Sequence, residues 1–256
     1  MSKLSDLIRK ASRLETAPMG FGAGAARKPA PTMLCLVRLS PAEAHKAGEA
    51  ASKGADALIF EAIDAGKLKE QAQKAGRLPM GVRLVKADRA AVAALRQAGA
   101  EFVVLEPHLA LAEALLEEGI GLVLVIGHDT PDSTLRLLAD LSLDALMVPP
   151  PEDPLTVART LELRRLAVLS RTSLLTEVPL DIDSSRLQVL RDAGVAGVII
   201  EGRAVDRLPS LRRAVDAMPP RGRRRQERAE VMLPVQALVS AAEEEEEEFS
   251  QNRGPV

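Results

Sequence analysis

Residues 54–106 read GADALIFEAIDAGKLKEQAQKAGRLPMGVRLVKADRAAVAALRQAGAEFVVLE. Three times a glycine closes an alanine- and charge-rich segment, and each time a short apolar run follows: Ala57–Phe60, Met80–Val85 and Phe102–Leu105. These runs are short and apolar throughout, as parallel strands buried on both faces are. The segments between them have helical composition, and Asp88 stands where a carboxylate can cap the first free N–H groups of a helix.

The beat continues outward from this stretch. Gly119 precedes Leu122–Ile126 and Gly194 precedes Gly197–Ile200, so successive glycine intervals are 22, 23, 20 and 75 residues. The long interval leaves room for two more units, with strands expected at Ala145–Val148 and Leu166–Leu169. Met33–Val37 opens the series and brings the strands to eight. Helices are expected at 41–52, 65–75, 87–98, 108–118, 131–140, 153–163, 184–193 and 204–217. Ser40 is placed as the first N-cap, with Pro41 at the first helical position. Strand–helix alternation with short connections selects a parallel α/β class. Eight units close into a single (β/α)8 TIM barrel, which takes about 250 residues; the chain has 256.

Three segments follow from composition. Residues 1–31 hold an amphipathic helix, with Leu4, Leu7, Ile8, Ala11 and Leu14 on one face, and a Gly/Ala/Pro-rich connector. The helix is expected to plug or flank the N-terminal end of the barrel. Residues 32–218 are the barrel. Residues 219–256 form a charged tail, five arginines within 221–228 and then Glu243–Glu248, which is expected to be disordered because such charge blocks stay solvated. The connector's Gly20-x-Gly22-x-Gly24 has no strand before it, so it lacks the context of a dinucleotide fingerprint.

Bulk composition excludes several classes. Aromatic residues are 2% of the chain, too few to stack single-stranded nucleic acid, and a net charge of −2 gives no pull on a polyanion. No apolar run approaches the roughly 20 residues of a membrane span. The single cysteine, Cys35, cannot form an internal disulfide, and with no secretory signal a cytoplasmic location is expected. Self-association is left open.

Barrel chemistry gathers at the C-terminal ends of strands. The expected ends offer Arg38, Glu61, Lys86, Glu106, His128, Ser170, Arg171, Gly202 and Arg203. Lys86 and Glu106, on adjacent strands, form the expected acid–base pair, with His128 and Glu61 as further catalytic candidates. Arg38, Arg171 and Arg203, with Ser170 and Gly202, are the expected anion contacts, since barrel phosphate sites gather after strands seven and eight. The segment 171–185 is expected to be an insertion at that end, able to cover a ligand. No metal site is expected: His128 and Asp129 are adjacent and diverge, and no H-x-H or H-E-x-x-H spacing occurs.

The stretches LVRLSP (36–41), GADALIFE (54–61), PMGVRLVKAD (79–88) and LVLVIGHD (122–129) resemble the ribulose-phosphate-binding barrels, especially indole-3-glycerol-phosphate synthase. The resemblance implies a barrel acting on a phosphorylated small molecule by acid–base chemistry. It places the family's two lysines on Arg38 and near Lys86. Its two catalytic glutamates fall on Leu36 and Ile126, so the resemblance carries the fold further than the activity. A second stretch, Ala17-Pro18-Met19-Gly20, resembles the opening of flavin-dependent barrel oxidoreductases. The expectation is therefore a cytoplasmic lyase- or isomerase-like enzyme for a small anionic metabolite, a phosphorylated one as the resemblance implies, with no cofactor and flavin as the alternative. The rival expectation is a non-catalytic barrel that binds or assembles through its rim or charged tail.

Overall fold

The computed structural model describes residues 2–12 and 32–219. The connector and the charged tail lie outside the described residues, as do the glycine spacing at 20–24 and the stretch 17–20. Chain order is α1 (Lys3–Ser12), β1 (Leu34–Leu39), α2 (Ala47–Ser52), β2 (Ala57–Glu61), α3 (Ala65–Ala75), β3 (Met80–Leu84), α4 (Arg89–Gln97) and β4 (Phe102–Leu105). There follow β5 (Gly121–Val125), α5 (Asp132–Leu138), β6 (Ala145–Val148), α6 (Val157–Ser170), β7 (Leu174–Glu177), α7 (Ser184–Ala193), β8 (Val195–Glu201) and α8 (Leu208–Asp216). The eight strands are parallel and close in sequence order, β8 returning to β1. This is the (β/α)8 barrel. Among the described residues no helix is long and apolar enough to cross a membrane.

The glycines that mark the beat, 54, 76, 99, 119 and 194, all have positive φ, between 67° and 113°. At Gly194 the reason is local: it is the left-handed C-cap of α7, and its N–H turns back to the carbonyls of Leu190 and Arg191 before β8 begins. Aspartates start the helices as expected at Asp88, whose side chain accepts from the Ala91 N–H at 2.7 Å, and likewise at Asp64 and Asp183. Ser40 heads a 3₁₀ turn, Pro41–Lys46, with its N–H and Oγ–H both donating to Glu43 Oε2.

Two expected elements differ. Residues 166–169 are not a strand; they are the last turn of α6, and strand seven lies at Leu174–Glu177. Helix α6 is apolar on both sides, with Leu163 and Leu166 buried while Val157 and Leu161 stand exposed, so no helical period marks it. Its start is set by Thr156, whose Oγ1 accepts from the Arg159 N–H at 3.1 Å. The helix expected at 108–118 is reduced to a 3₁₀ turn, Ala112–Leu116.

Strand parity sorts the core into two. Leu34, Leu36, Ala57, Ile59, Phe102, Val104, Val123, Ala145, Met147, Leu175 and Ile199 fill the barrel interior, together with Leu4, Ile8 and Ala11 of α1. The alternate residues, Cys35, Val37, Leu58, Phe60, Val82 and Val103 among them, pack outward under the helices. Helix α1 closes the N-terminal end: Ser2 Oγ donates to Asp144, just before β6, and Lys3 pairs with Glu101, just before β4.

Candidate functional site

Parity also fixes which charged ends face inward. Two residues beyond the interior positions Leu36, Ile59, Gly81, Val104, Leu175 and Ile199 stand Arg38, Glu61, Arg83, Glu106, Glu177 and Glu201. They meet across the C-terminal mouth. Arg38, with 17% of its side chain exposed, pairs with Glu177, reaches Glu61 at 3.5 Å through Nε and Glu201 at 3.3 Å through NH2. Arg83 continues the ring, 3.7 Å from Glu61 and 2.6 Å from Glu106. Glu61 is thus shared between the two guanidiniums. Arg203, largely exposed, adds a second cation on Glu201. Each such pair contributes little alone, about 0–1 kcal/mol in contact with water. Their joint effect is to hold long side chains from six strand ends in fixed positions.

The opposite side of the mouth is apolar, built by Val125 and the buried Met147, and it ends in Pro149, Pro150 and Pro151. Behind it lies His128, in the turn after β5. Arg159 of α6, only 7% exposed, donates from NH2 to His128 Nε2 at 2.7 Å and from NH1 to Glu162 at 2.9 Å. Burial, and then the Arg159 charge, push the histidine below its ordinary value. Arg165 ties the same turn down, donating to the His128 carbonyl at 2.7 Å and to the Thr130 carbonyl at 3.1 Å.

The expected site residues therefore divide. Arg38, Glu61, Glu106 and Arg203 lie in or beside the ring, and His128 lies behind its apolar side. Glu106 has Arg83 as its partner; Lys86 is exposed in the turn after β3 and makes no ion pair among the described residues, so the expected Lys86–Glu106 pair is not formed. Gly202 is buried in a close approach, where a β-carbon would stand 2.7 Å from Leu39 Cδ2 and 2.9 Å from Glu43 Oε2. Its carbonyl accepts from Lys46 Nζ at 3.3 Å.

Ser170 and Arg171 are corrected outright. They follow α6 and precede β7, which places them at the N-terminal end of the barrel, away from the mouth. Ser170 is fully buried and donates to the Leu166 carbonyl at 2.6 Å, and Arg171 is the left-handed C-cap of α6. Segment 171–185 is accordingly not an insertion, since it contains β7. Arg83 and Glu201 stand at expected strand ends with no role expected of them, and two further residues of the site, Glu177 and Arg159, escaped sequence reading. Glu177 was hidden by the misplaced strand; the unit spacing between β6 and β8 points to Leu174–Glu177 once 157–170 is taken as helix. Arg159 carries no motif, and only the fold brings it to His128. Among the described residues no three His, Cys, Asp or Glu side chains converge as a metal site.

No family model matches the sequence, and no curated protein matches it. Solved structures do. The tryptophan synthase α-subunit of Pyrococcus furiosus is similar at 15% identity over 72% of this chain and 96% of that one, with a TM-score of 0.54. A chain of the tryptophan synthase α2β2 complex from the same organism is similar at 15% identity, over 72% and 96%, with a TM-score of 0.55. At such identity the likeness is one of fold, and the narrower likeness to indole-3-glycerol-phosphate synthase rests on the sequence stretches alone. The chain shares the (β/α)8 barrel fold of these subunits.

Proposed function

We propose that the chain is a lyase- or isomerase-like enzyme that handles a small anionic metabolite, phosphorylated or carboxylated, at the C-terminal mouth. The observation that supports this reading is Arg38, held among Glu61, Glu177 and Glu201 from three other strands. Opposed charges fixed on rigid strands are what acid–base chemistry requires. The ligand's anion takes the place of one carboxylate on Arg38, with Arg203 as the second cation. The carboxylate released in this way stands beside the bound molecule. Glu61, bridging Arg38 and Arg83, and Glu106 on Arg83 are then the proton carriers, one removing a proton next to a carbonyl and the other returning it to a neighbouring atom. Ser170 and Arg171 have no part in this site. The reading calls for no cofactor, and it places the reaction in the cytoplasm.

The test is a thermal-shift panel of sugar phosphates, hydroxycarboxylates and flavins on the full chain. A ligand at 100 times its Kd stabilises by about 2.7 kcal/mol. The reading expects a phosphorylated or carboxylated hit whose effect disappears in Arg38→Gln. No response across the panel overturns it, and a flavin hit replaces it.

A second reading, a non-catalytic barrel that serves as an assembly module, is favoured by the outer face of α6, where Val157 is 77% and Leu161 61% exposed. It expects no ligand response and self-association that Leu161→Glu weakens.

A further inference from the structure

We infer that Arg159 is a positioning residue that holds His128 as a neutral imidazole with its proton on Nδ1. The turn after β5 then offers a hydrogen-bond donor and not a base. The argument starts from what a guanidinium can do: it donates and never accepts. With Arg159 NH2 2.7 Å from His128 Nε2, that nitrogen must present its lone pair. A proton on Nε2 would set two N–H groups against each other. The neutral ring therefore carries its proton on Nδ1.

The charged ring is opposed as well. Burial and the Arg159 charge disfavour it, and these outweigh the carboxylates that favour it, namely Asp129 in its own turn, Glu152 before α6 and Glu162 on α6. Arg165, paired with Asp132, is a further charged group packed against this turn. Arg159 is itself anchored, by Glu162 at 2.9 Å and by the Pro149 carbonyl at 3.5 Å, so the ring is fixed through a buried and immobile partner. Arg165 fixes the backbone of the same residue.

Two buried N–H groups remain unpaired among the described residues, His128 Nδ1 and Arg159 Nε. A buried donor without an acceptor costs about 1–3 kcal/mol. Resting on the function proposed above, proton transfer is therefore left to the mouth carboxylates. Nε2 is closed to proton uptake while Arg159 occupies it.

The experiment is long-range 15N–1H spectroscopy on the full chain labelled at histidine, assigned with His45→Gln and His108→Gln. At pH 7.5 the His128 ring is expected as the pure Nδ1–H tautomer, staying neutral to a pH below the ordinary histidine range. Arg159→Met, which keeps an apolar stem and no donor, is expected to yield mixed tautomers and a midpoint raised toward the ordinary histidine range. An Nε2–H tautomer in the unaltered protein overturns the inference, as does an unchanged tautomer in Arg159→Met, which would make Arg159 a packing residue. If that variant does not fold, the spectrum of the unaltered protein decides. No ligand is needed for these readings. A pure Nδ1–H tautomer with no hit in the panel therefore overturns the enzyme and leaves the tautomer standing.

Discussion

Phe102 and Gly81 are paired across β3 and β4, and the Phe102 ring occupies the space that a side chain on Gly81 would take. A β-carbon at Gly81 would stand inside the ring's van der Waals envelope, nearer than real β-carbons approach. This is how a chain with so few aromatics fills its barrel: one fully buried ring on β4 spans toward a strand that yields the room. Gly81→Ala is expected to destabilise by about 1–3 kcal/mol through overpacking, a fall in Tm of roughly 2–4 °C per kcal/mol at this size. The double variant with Phe102→Leu should lose less than the two single losses added, because the ring is the clash. Strict additivity in thermal unfolding would show that the ring moves freely aside.

The mouth makes a second expectation. Arg38 and Arg83 face four carboxylates, so an anion arriving at Arg38 competes with groups already there. Glu177→Gln keeps an acceptor for the guanidinium and removes one negative charge. One unit charge a few ångströms away is worth about 1 kcal/mol in water and more near a protein surface. Inorganic phosphate is therefore expected to bind roughly fivefold more tightly to Glu177→Gln, while stability changes by less than about 1 kcal/mol. Titration calorimetry checks it. Equal or weaker binding in the variant would place the anion somewhere other than Arg38.

How far the site could be read from sequence depends on which periodicity each residue sits in. The positions that end helices were legible because a left-handed turn favours glycine, and the five marked glycines all adopt it. Strands β1 to β6 and β8 were legible as apolar runs. Strand β7 was not: LLTE is only four residues, half of them polar, whereas the preceding helix ends in Leu166-Ala167-Val168-Leu169, which has the look of a buried strand. One misplaced strand moved two residues to the wrong end of the barrel and hid Glu177. Inward or outward orientation was illegible for a different reason. Runs apolar on both faces carry no alternation, so only the closed sheet shows that Arg38 and Glu61 share a side with Leu36 and Ile59.

At the other end of the barrel, Asp144 anchors α1 through the hydroxyl of Ser2 and is largely removed from water. Burial pushes its carboxyl above the ordinary value of 3.8. A carboxyl raised in the folded state favours folding fully below the unfolded value and loses that contribution as pH rises through the folded one. At neutral pH, then, its ionisation works against the fold. Asp144→Asn, which keeps an acceptor for Ser2, is expected to have a higher Tm than the unaltered protein at pH 7 and an equal one at pH 3. A lower Tm at pH 7 would mean that the ionised oxygen gains more from Ser2 than burial costs it.

Cys35 lies in β1 on the face that packs under the helices, and its thiol is pushed up to about 12. Burial is the main cause; the neighbouring Arg212 pulls the other way, while Asp56 and Asp216 add to the rise. The strand around it is held as well, since the Cys35 N–H donates to Asp56 Oδ2 at 2.7 Å and Arg212 grips the same oxygen at 2.7 Å. Only the thiolate reacts with disulfide reagents. At pH 8 a thiol of this kind is ionised to about one part in ten thousand, against roughly a quarter for an ordinary cysteine, and the reagent cannot reach it in the folded barrel. Labelling by a disulfide reagent is therefore expected only from molecules that have opened β1. Across a urea series the labelled fraction should follow the circular-dichroism transition with the same midpoint. Prompt labelling without denaturant would show that β1 opens locally, without the rest of the barrel.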